Sequence, residues 1–214
     1  MAMRILVCTA TELELQPTSD WLDHQRAGVK LLTTGVGMLS ATYAITQAVL
    51  RDKYDWVIQA GIAGSLDDQL TLGEVVAVDT ETIGDLGVLE HEGHFQSVFQ
   101  MGLSDENKHP WKEGKLANPH VTAFPQLKAV HGVTVNEITT NKERVETYRL
   151  RDNAAIETME GAALHLTCLM ERIPFLQLRG ISNKVGIRNK KDWRMQEAIE
   201  NVNEVLKTVI KTLS

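Results

Sequence analysis

Apolar residues follow two patterns along this chain: short, nearly unbroken runs, and longer stretches in which they recur every three or four positions. Residues 4–10 are a run of the first kind, as expected of a strand buried on both faces of a largely parallel sheet, and they put residues 11–15 at a strand's carboxyl end. Residues 29–34, 56–60, 74–79, 132–136 and 175–182 read as further strands. Helical spacing predicts helices over 38–51, 159–172 and 193–213. The last has the cleanest stripe, through Ala198, Ile199, Val202, Val205, Leu206, Val209, Ile210 and Leu213. Strands alternating with helices predict a three-layer α/β/α fold with a mixed, largely parallel central sheet and a ligand beyond the carboxyl ends of its strands. Residues 82–125 break the pattern: they are rich in Gly, His, Asn and Pro, and so long an irregular stretch is more often functional than idle.

Composition narrows the class. With 214 residues, 43% of them hydrophobic, the chain reads as one domain over 1–214 around one core. A formal net charge of -6 repels a phosphate backbone, so nucleic acid is not an expected partner. Cys8 and Cys168 both sit in apolar runs, where free thiols behave as small hydrophobes in a reducing compartment. No signal-peptide h-region opens the chain, and no apolar run approaches the roughly 20 residues that span a bilayer. A cytoplasmic protein without a membrane partner is expected.

The glycine turns come first among the candidate sites. Gly35-Val36-Gly37-Met38-Leu39-Ser40 follows a strand, opens a helix and precedes an acidic residue, Asp55, as a dinucleotide fingerprint requires, but the third glycine is Ser40. Gly61 to Ser65 reads as a second turn, either a tight connection or a set of backbone donors for a ligand. His91-Glu92-Gly93-His94 has the wrong spacing for a zinc helix and reads as a solvated loop. Asp192 is a natural N-cap for the last helix, and the basic segment before it includes Arg188.

Three polar groups are harder to place as core. Glu160 opens a helix of small residues, either as an exposed charge favoured by the helix dipole or as a ligand-facing acceptor, and sequence physics does not choose between them. Glu12 and Glu14 follow the first strand, and Asn183 closes the run Arg179-Gly180-Ile181-Ser182. All lie where a parallel sheet binds its ligand.

These runs, in this order, resemble the nucleoside phosphorylase and nucleosidase superfamily. The matching marks are Gly35-Val36-Gly37, Ala60-Gly61-Ile62-Ala63-Gly64-Ser65-Leu66, Gly73-Glu74-Val75-Val76, Met159-Glu160-Gly161-Ala162-Ala163 and Arg179-Gly180-Ile181-Ser182-Asn183. Within it, Glu157-Thr158-Met159-Glu160-Gly161, Asp85-Leu86-Gly87 with Met101-Gly102-Leu103 and Asn118, and residues 182–189 are similar to the futalosine hydrolases. These enzymes remove hypoxanthine from futalosine in menaquinone biosynthesis. The resemblance implies a nucleoside phosphorylase-like fold, a nucleoside substrate, no cofactor or metal, and a homodimer or larger homo-oligomer.

It also implies residue roles. Glu160 would accept hydrogen bonds from the ribose 2′- and 3′-hydroxyls, and Glu14 would orient the attacking water, with Glu12 as the fallback if the register is shifted. Met159, Gly64 and Ile62 would line the substrate. Arg188, or else Arg144, would hold the carboxylate of a 5′ substituent, and the long segment 84–118 suggests a pocket for that substituent. Asn183 stands where adenine-specific nucleosidases carry an aspartate. If it lies at the base, its amide N–H can donate to O6 of a 6-oxopurine while its oxygen accepts from N7–H, favouring hypoxanthine over adenine. The implied chemistry is dissociative, with positive charge growing on the ribose beside Glu160 and negative charge on the departing base. The nearest competing reaction is phosphorolysis, and a dinucleotide-dependent oxidoreductase or noncatalytic nucleotide-binding protein is the reading from another class.

Overall fold

A computed structural model describes residues 3–22, 28–91, 93–187 and 189–213. The apolar runs form β1 (Ile5–Thr9), β2 (Val29–Thr33), β3 (Trp56–Ser65), β4 (Val75–Ile83), β8 (Lys128–Thr134) and β10 (Phe175–Lys184). The short strands β5 (Gly87–Leu89), β6 (Phe95–Ser97), β7 (Leu116–Ala117) and β9 (Ile156–Thr158) add to them. The sheet order is β10-β4-β8-β9-β3-β1-β2, and β10 pairs with β3 as well, so β3, β10, β4, β8 and β9 close into a ring. Most pairings are parallel; β10–β4, β3–β9 and β4–β7 are antiparallel. The expected mixed, largely parallel sheet is present, and its closure is new.

Helices cover both faces. On one side α1 (Glu12–Leu22) packs on α5 (Met195–Leu213), whose stripe buries Val202, Leu206, Val209 and Ile210 against Ile5, Val7, Ile58 and Leu178. On the other, α2 (Met38–Arg51) packs on α4 (Gly161–Glu171), with Ile45, Leu164 and Cys168 set against Leu6, Cys8 and Phe175. The fifth helix, α3 (Lys142–Leu150), buries only Tyr148.

Two local expectations are corrected. Gly61 to Ser65 is not a turn but the second half of β3, held by β10 on one side and β9 on the other. Asp192 does not cap α5; it ends a short 3-10 turn and accepts from Asn189 Nδ2, and the helix starts at Met195. Asp55 accepts from the Arg4 amide at 2.7 Å and so tethers β1, the role left to it once the dinucleotide fingerprint lacks its third glycine.

Candidate active site

At the carboxyl ends of β1, β3 and β10 the structure opens a cavity of about 300 Å³. Its first wall comes from α1. Glu14 lies in the first turn of that helix and is only 7% exposed. Its Oε2 accepts from the Thr11 amide at 3.0 Å and the Thr11 hydroxyl at 2.9 Å, and its Oε1 accepts from the Ile62 amide at 3.1 Å. A buried asparagine of α5 anchors the same helix: Asn203 Nδ2 donates to the Glu14 carbonyl at 2.9 Å, and the Thr18 hydroxyl donates to Asn203 Oδ1 at 2.6 Å. Glu12, the fallback, is exposed and lines no part of the cavity, because residues two apart do not share a helix face.

Glu160 forms the second wall as the N-cap residue of α4. At 6% exposure it is not a solvated helix-end charge. Its Oε1 accepts from the Gly37 amide at 2.9 Å, where Gly37 starts α2 at a φ of 92° that favours glycine. The Gly35-Val36-Gly37 turn therefore presents its donor to a carboxylate of the protein.

Behind both carboxylates lies Arg179 of β10, 1% exposed. Its Nη1 is 3.8 Å from Glu160 Oε2 and its Nη2 donates to Gln59 Oε1 at 2.6 Å. A Cβ on Gly61 would sit 2.6 Å from Arg179 Nη1 and 2.8 Å from Glu14 Oε1, so both side chains pack over a bare Cα, with Glu160 rather than Glu14 within ion-pair distance of the guanidinium. Arg179 was visible in the sequence only as part of a family run; its mid-strand position in an apolar segment was the unused signal.

Asn183 lines the far side with Ile62, Gly64 and Met159. Its Nδ2 donates to the Lys184 carbonyl at 3.0 Å and its Oδ1 accepts from the Ser182 hydroxyl at 2.8 Å. A primary amide has two N–H donors and two acceptor sites, so one of each is left for a ligand. The structure thus brings together Glu14, Ile62, Gly64, Met159, Glu160 and Asn183. Arg188 lies outside the described residues. Arg144 does not reach the cavity; its Nε donates to the Tyr148 hydroxyl at 2.9 Å beside a separate hollow of about 140 Å³. Of segment 84–118, Gly84, Leu89, Gly93 and Phe95 line that hollow and no described residue of it lines the cavity; Arg151, at the end of α3, stacks over Phe95 of the β5–β6 hairpin. His91 and His94 are exposed, as a solvated loop requires.

Two further acids, Glu157 among them despite its place in a family run, had no role assigned from the sequence. Glu157 of β9, 6% exposed, lines the cavity; burial raises its pKa, with hydrogen bonds from Thr139 acting against the rise. Glu81 of β4 lies fully buried, accepting from Gln177 Nε2 and the Thr134 hydroxyl, each at 2.9 Å, and burial pushes its pKa up to about 7. A Cβ on Gly161 would overlap Glu81 Oε1, which explains the glycine after Glu160. Nearby His165 is driven down to about 4 by burial.

Known proteins share this architecture. The sequence profile of the phosphorylase superfamily matches residues 25–211. A futalosine hydrolase of Thermus thermophilus is 28% identical over 197 residues, 89% of this chain and 84% of that protein. One from Streptomyces coelicolor is 30% identical over 185 residues, 84% of this chain and 77% of its own. The crystal structure of a mutant Helicobacter pylori methylthioadenosine nucleosidase, holding 5′-methylthioadenosine in its active site, superimposes with a TM-score of 0.81 at 17% identity, over 99% of this chain and 100% of that one. With its sheet, its helical layers and its sequence all matching, the chain belongs to the phosphorylase superfamily and, within it, to the futalosine hydrolases.

Proposed function

We propose that this protein hydrolyses the N-glycosidic bond of futalosine, releasing hypoxanthine and dehypoxanthine futalosine for menaquinone biosynthesis. The observation that carries the reading is that Glu14, Glu160 and Asn183 line one cavity, with the buried Arg179 guanidinium paired to Glu160 behind it. In this reading Glu160 accepts from the ribose hydroxyls and its charge favours the cationic sugar as the bond breaks. Glu14, fixed by Thr11 and Ile62, holds a water and takes its proton as the oxygen attacks C1′. Asn183 donates to O6 and accepts from N7–H, stabilising the departing base. Met159, Ile62 and Gly64 shape the walls, and Arg188 binds the carboxylate of the 5′ substituent.

Hydrolysis is favoured over phosphorolysis by charge. Glu14, Glu157 and Glu160 line the cavity, and among the described residues the guanidinium behind them, Arg179, is already paired with Glu160. A phosphate dianion would meet carboxylate oxygens. The test is base release from futalosine, inosine and methylthioadenosine with and without phosphate. Hypoxanthine released from futalosine alone supports the reading, whereas dependence on phosphate or preference for methylthioadenosine sinks it.

The same proposal treats residues 1–214 as one cytoplasmic domain working as a homo-oligomer. Cys8 and Cys168 are free and buried, as suits a reducing compartment. Leu39, Tyr43 and Leu50 of α2 stand 84%, 68% and 66% exposed on one side of the helix, an apolar face for a second copy. Exposed Val36 joins that face to the cavity. Light scattering that finds only monomer at micromolar concentration would remove this part.

A further inference from the structure

We propose that Glu81 serves the site as a neutral carboxylic acid that positions Glu160 from behind, its carbonyl oxygen held by Thr134 and its proton donated to Gln177. The inference deepens the nucleosidase reading and rests on it for what Glu160 does.

Hydrogen-bond accounting leads to the proton. Glu81, Gln177 and His165 are each fully buried. Gln177 Nε2 is 2.9 Å from Glu81 Oε1, and the Gln177 side chain adjoins the His165 ring, where its oxygen favours a charged imidazole. His165 Nδ1 reaches the Leu116 carbonyl at 2.9 Å, so Nδ1 carries a proton and Nε2 is the nitrogen left over. Gln177 Oε1 and His165 Nε2 both lack a hydrogen-bond partner among the described residues. One proton, placed in either of two ways, repairs both. A charged His165 can donate to Gln177 Oε1 while Glu81 is ionised. Alternatively the amide turns over, Glu81 donates to its oxygen, and its N–H donates to a neutral His165. The first way keeps two charges in the cluster and the second keeps none, so burial selects the second. The same burial raises Glu81 to about 7 and lowers His165 to about 4, which leaves the proton on Glu81.

The link to Glu160 runs through the start of α4. An N-cap side chain ordinarily accepts from the first amides of its own helix, but Glu160 does not. Thr158 Oγ1 takes the Gly161 amide at 3.2 Å, and Thr134 Oγ1 takes the Ala162 amide at 2.8 Å. A hydroxyl has one proton, and Thr134 gives it to Glu81 Oε2 at 2.9 Å, which turns its lone pairs to the helix. The Glu160 carboxylate is thereby left to the Gly37 amide and the cavity. Among the described residues, the charged and titratable groups about Glu81 are Glu160 and His165 of α4, Arg179 of β10 and, past His165, His131 of β8. An ionised Glu81 would set a second carboxylate against Arg179 and Glu160, whereas a neutral one leaves Arg179 to Glu160.

The test joins carbon-13 NMR of the full-length protein, labelled at its glutamate carboxyls, to the release assay over about pH 5 to 9. The Glu81 signal should titrate near 7, and the Glu160 signal, assigned with Glu160→Gln, should move in step with it. In the wild type kcat/KM should be highest below that pH and fall as Glu81 ionises. Glu81→Leu leaves the Thr134 hydroxyl without its acceptor and should lose about tenfold or more at every pH. Glu81→Gln keeps an acceptor for Thr134 and a donor for Gln177, so it should restore kcat/KM to within about threefold of the wild type at low pH and abolish the alkaline fall. A Glu81 carboxyl titrating below about 5, a Glu160 signal indifferent to it, or an alkaline fall unchanged in Glu81→Gln would overturn the proposal. These readouts decide even where Glu81→Leu fails to fold. NMR needs no turnover, so a coupled titration in a protein that releases no base would count against the hydrolase reading alone.

Discussion

The contact between α1 and α5 sets the position of Glu14, and breaking it gives the sharpest test of how the site is held. Asn203 is fully buried on the apolar stripe of α5, accepts from the Thr18 hydroxyl at 2.6 Å, and donates to the carbonyls of Glu14 at 2.9 Å and Ile199 at 2.7 Å. Thr18→Val leaves Asn203 Oδ1 without its donor in an apolar surround, a cost of about 1–3 kcal/mol. Asn203→Leu keeps the volume but leaves the Thr18 hydroxyl without its acceptor, with a cost in the same range. In a chain of this length each kcal/mol lowers Tm by about 2–4 °C, so either single variant should melt roughly 2–12 °C lower.

The double variant Thr18→Val/Asn203→Leu replaces both partners with apolar groups of similar shape, which can be nearly neutral. Its cost in urea denaturation should fall below the sum of the singles by about 1 kcal/mol or more. Asn203→Leu also removes the tether on the Glu14 main chain, so its kcat/KM should drop on the order of fivefold to tenfold, for about 1 kcal/mol of lost positioning. Single-variant costs that add to within about 0.5 kcal/mol would show that the two side chains act independently and would refute the reasoning.

Other predictions test the site directly. Glu160→Gln should lower turnover at least about 100-fold through weaker contacts to the ribose, with the far-ultraviolet circular dichroism unchanged; near-normal kcat/KM would remove Glu160 from the ribose role. Asn183→Asp should lower kcat/KM on a 6-oxopurine nucleoside by about 10- to 100-fold while sparing a 6-amino analogue, and an unchanged preference would contradict its placement at the base. Glu81 predicts a pH effect on stability. Its carboxyl holds a proton up to about 7 in the folded chain and to 4.5 in the unfolded one, so stability is lost as pH rises through that window, by of order 3 kcal/mol. His131 and His165, both lowered to about 4 by burial, act oppositely and lose stability as pH falls below 6.5. Glu81→Gln should therefore raise the urea midpoint at pH 8 and expose a stability that climbs between about pH 4 and 6.5; an unchanged midpoint at pH 8 would show that Glu81 carries no burial cost.

The elements legible in the sequence were those that bury a continuous surface. The helix expected over 38–51 is α2, and the stripe from Ala198 to Leu213 is the buried face of α5, because in both a wide apolar face meets the sheet. The elements that escaped notice bury little. In α1, Glu12-Leu13-Glu14-Leu15 alternates like a strand and Pro17 sits inside the helix. Helix α3 is polar almost throughout and is started by Asn141, whose side chain accepts from the Arg144 amide. Strand β9 is three residues long with Glu157 in its middle. Gly61 and Gly64 pointed to a turn because glycine usually marks one, yet both lie in β3, where each leaves room for a functional side chain from another element.

The site divides along a related line. Glu14, Glu160 and Asn183 were legible because they are polar residues at strand or helix ends, where the fold class puts ligands. What holds two of them was not, because Arg179 and Asn203 occupy inward positions of segments whose pattern reads as core. Such positions carry their own signal: a buried charge costs several kcal/mol unless it is paired. An arginine in the middle of Phe175-Leu176-Gln177-Leu178-Arg179-Gly180-Ile181 therefore requires acids from other parts of the chain. The structure supplies Glu160 from the start of α4 and the side-chain oxygen of Gln59 from β3. If Glu160 turned away, the guanidinium would keep its bond to Gln59 Oε1 but lose its ion pair. The same electrostatic requirement that makes Arg179 tolerable inside the protein therefore holds Glu160 at the cavity, while Glu14, 146 residues away in sequence, is fixed at its opposite wall by Thr11 and Ile62.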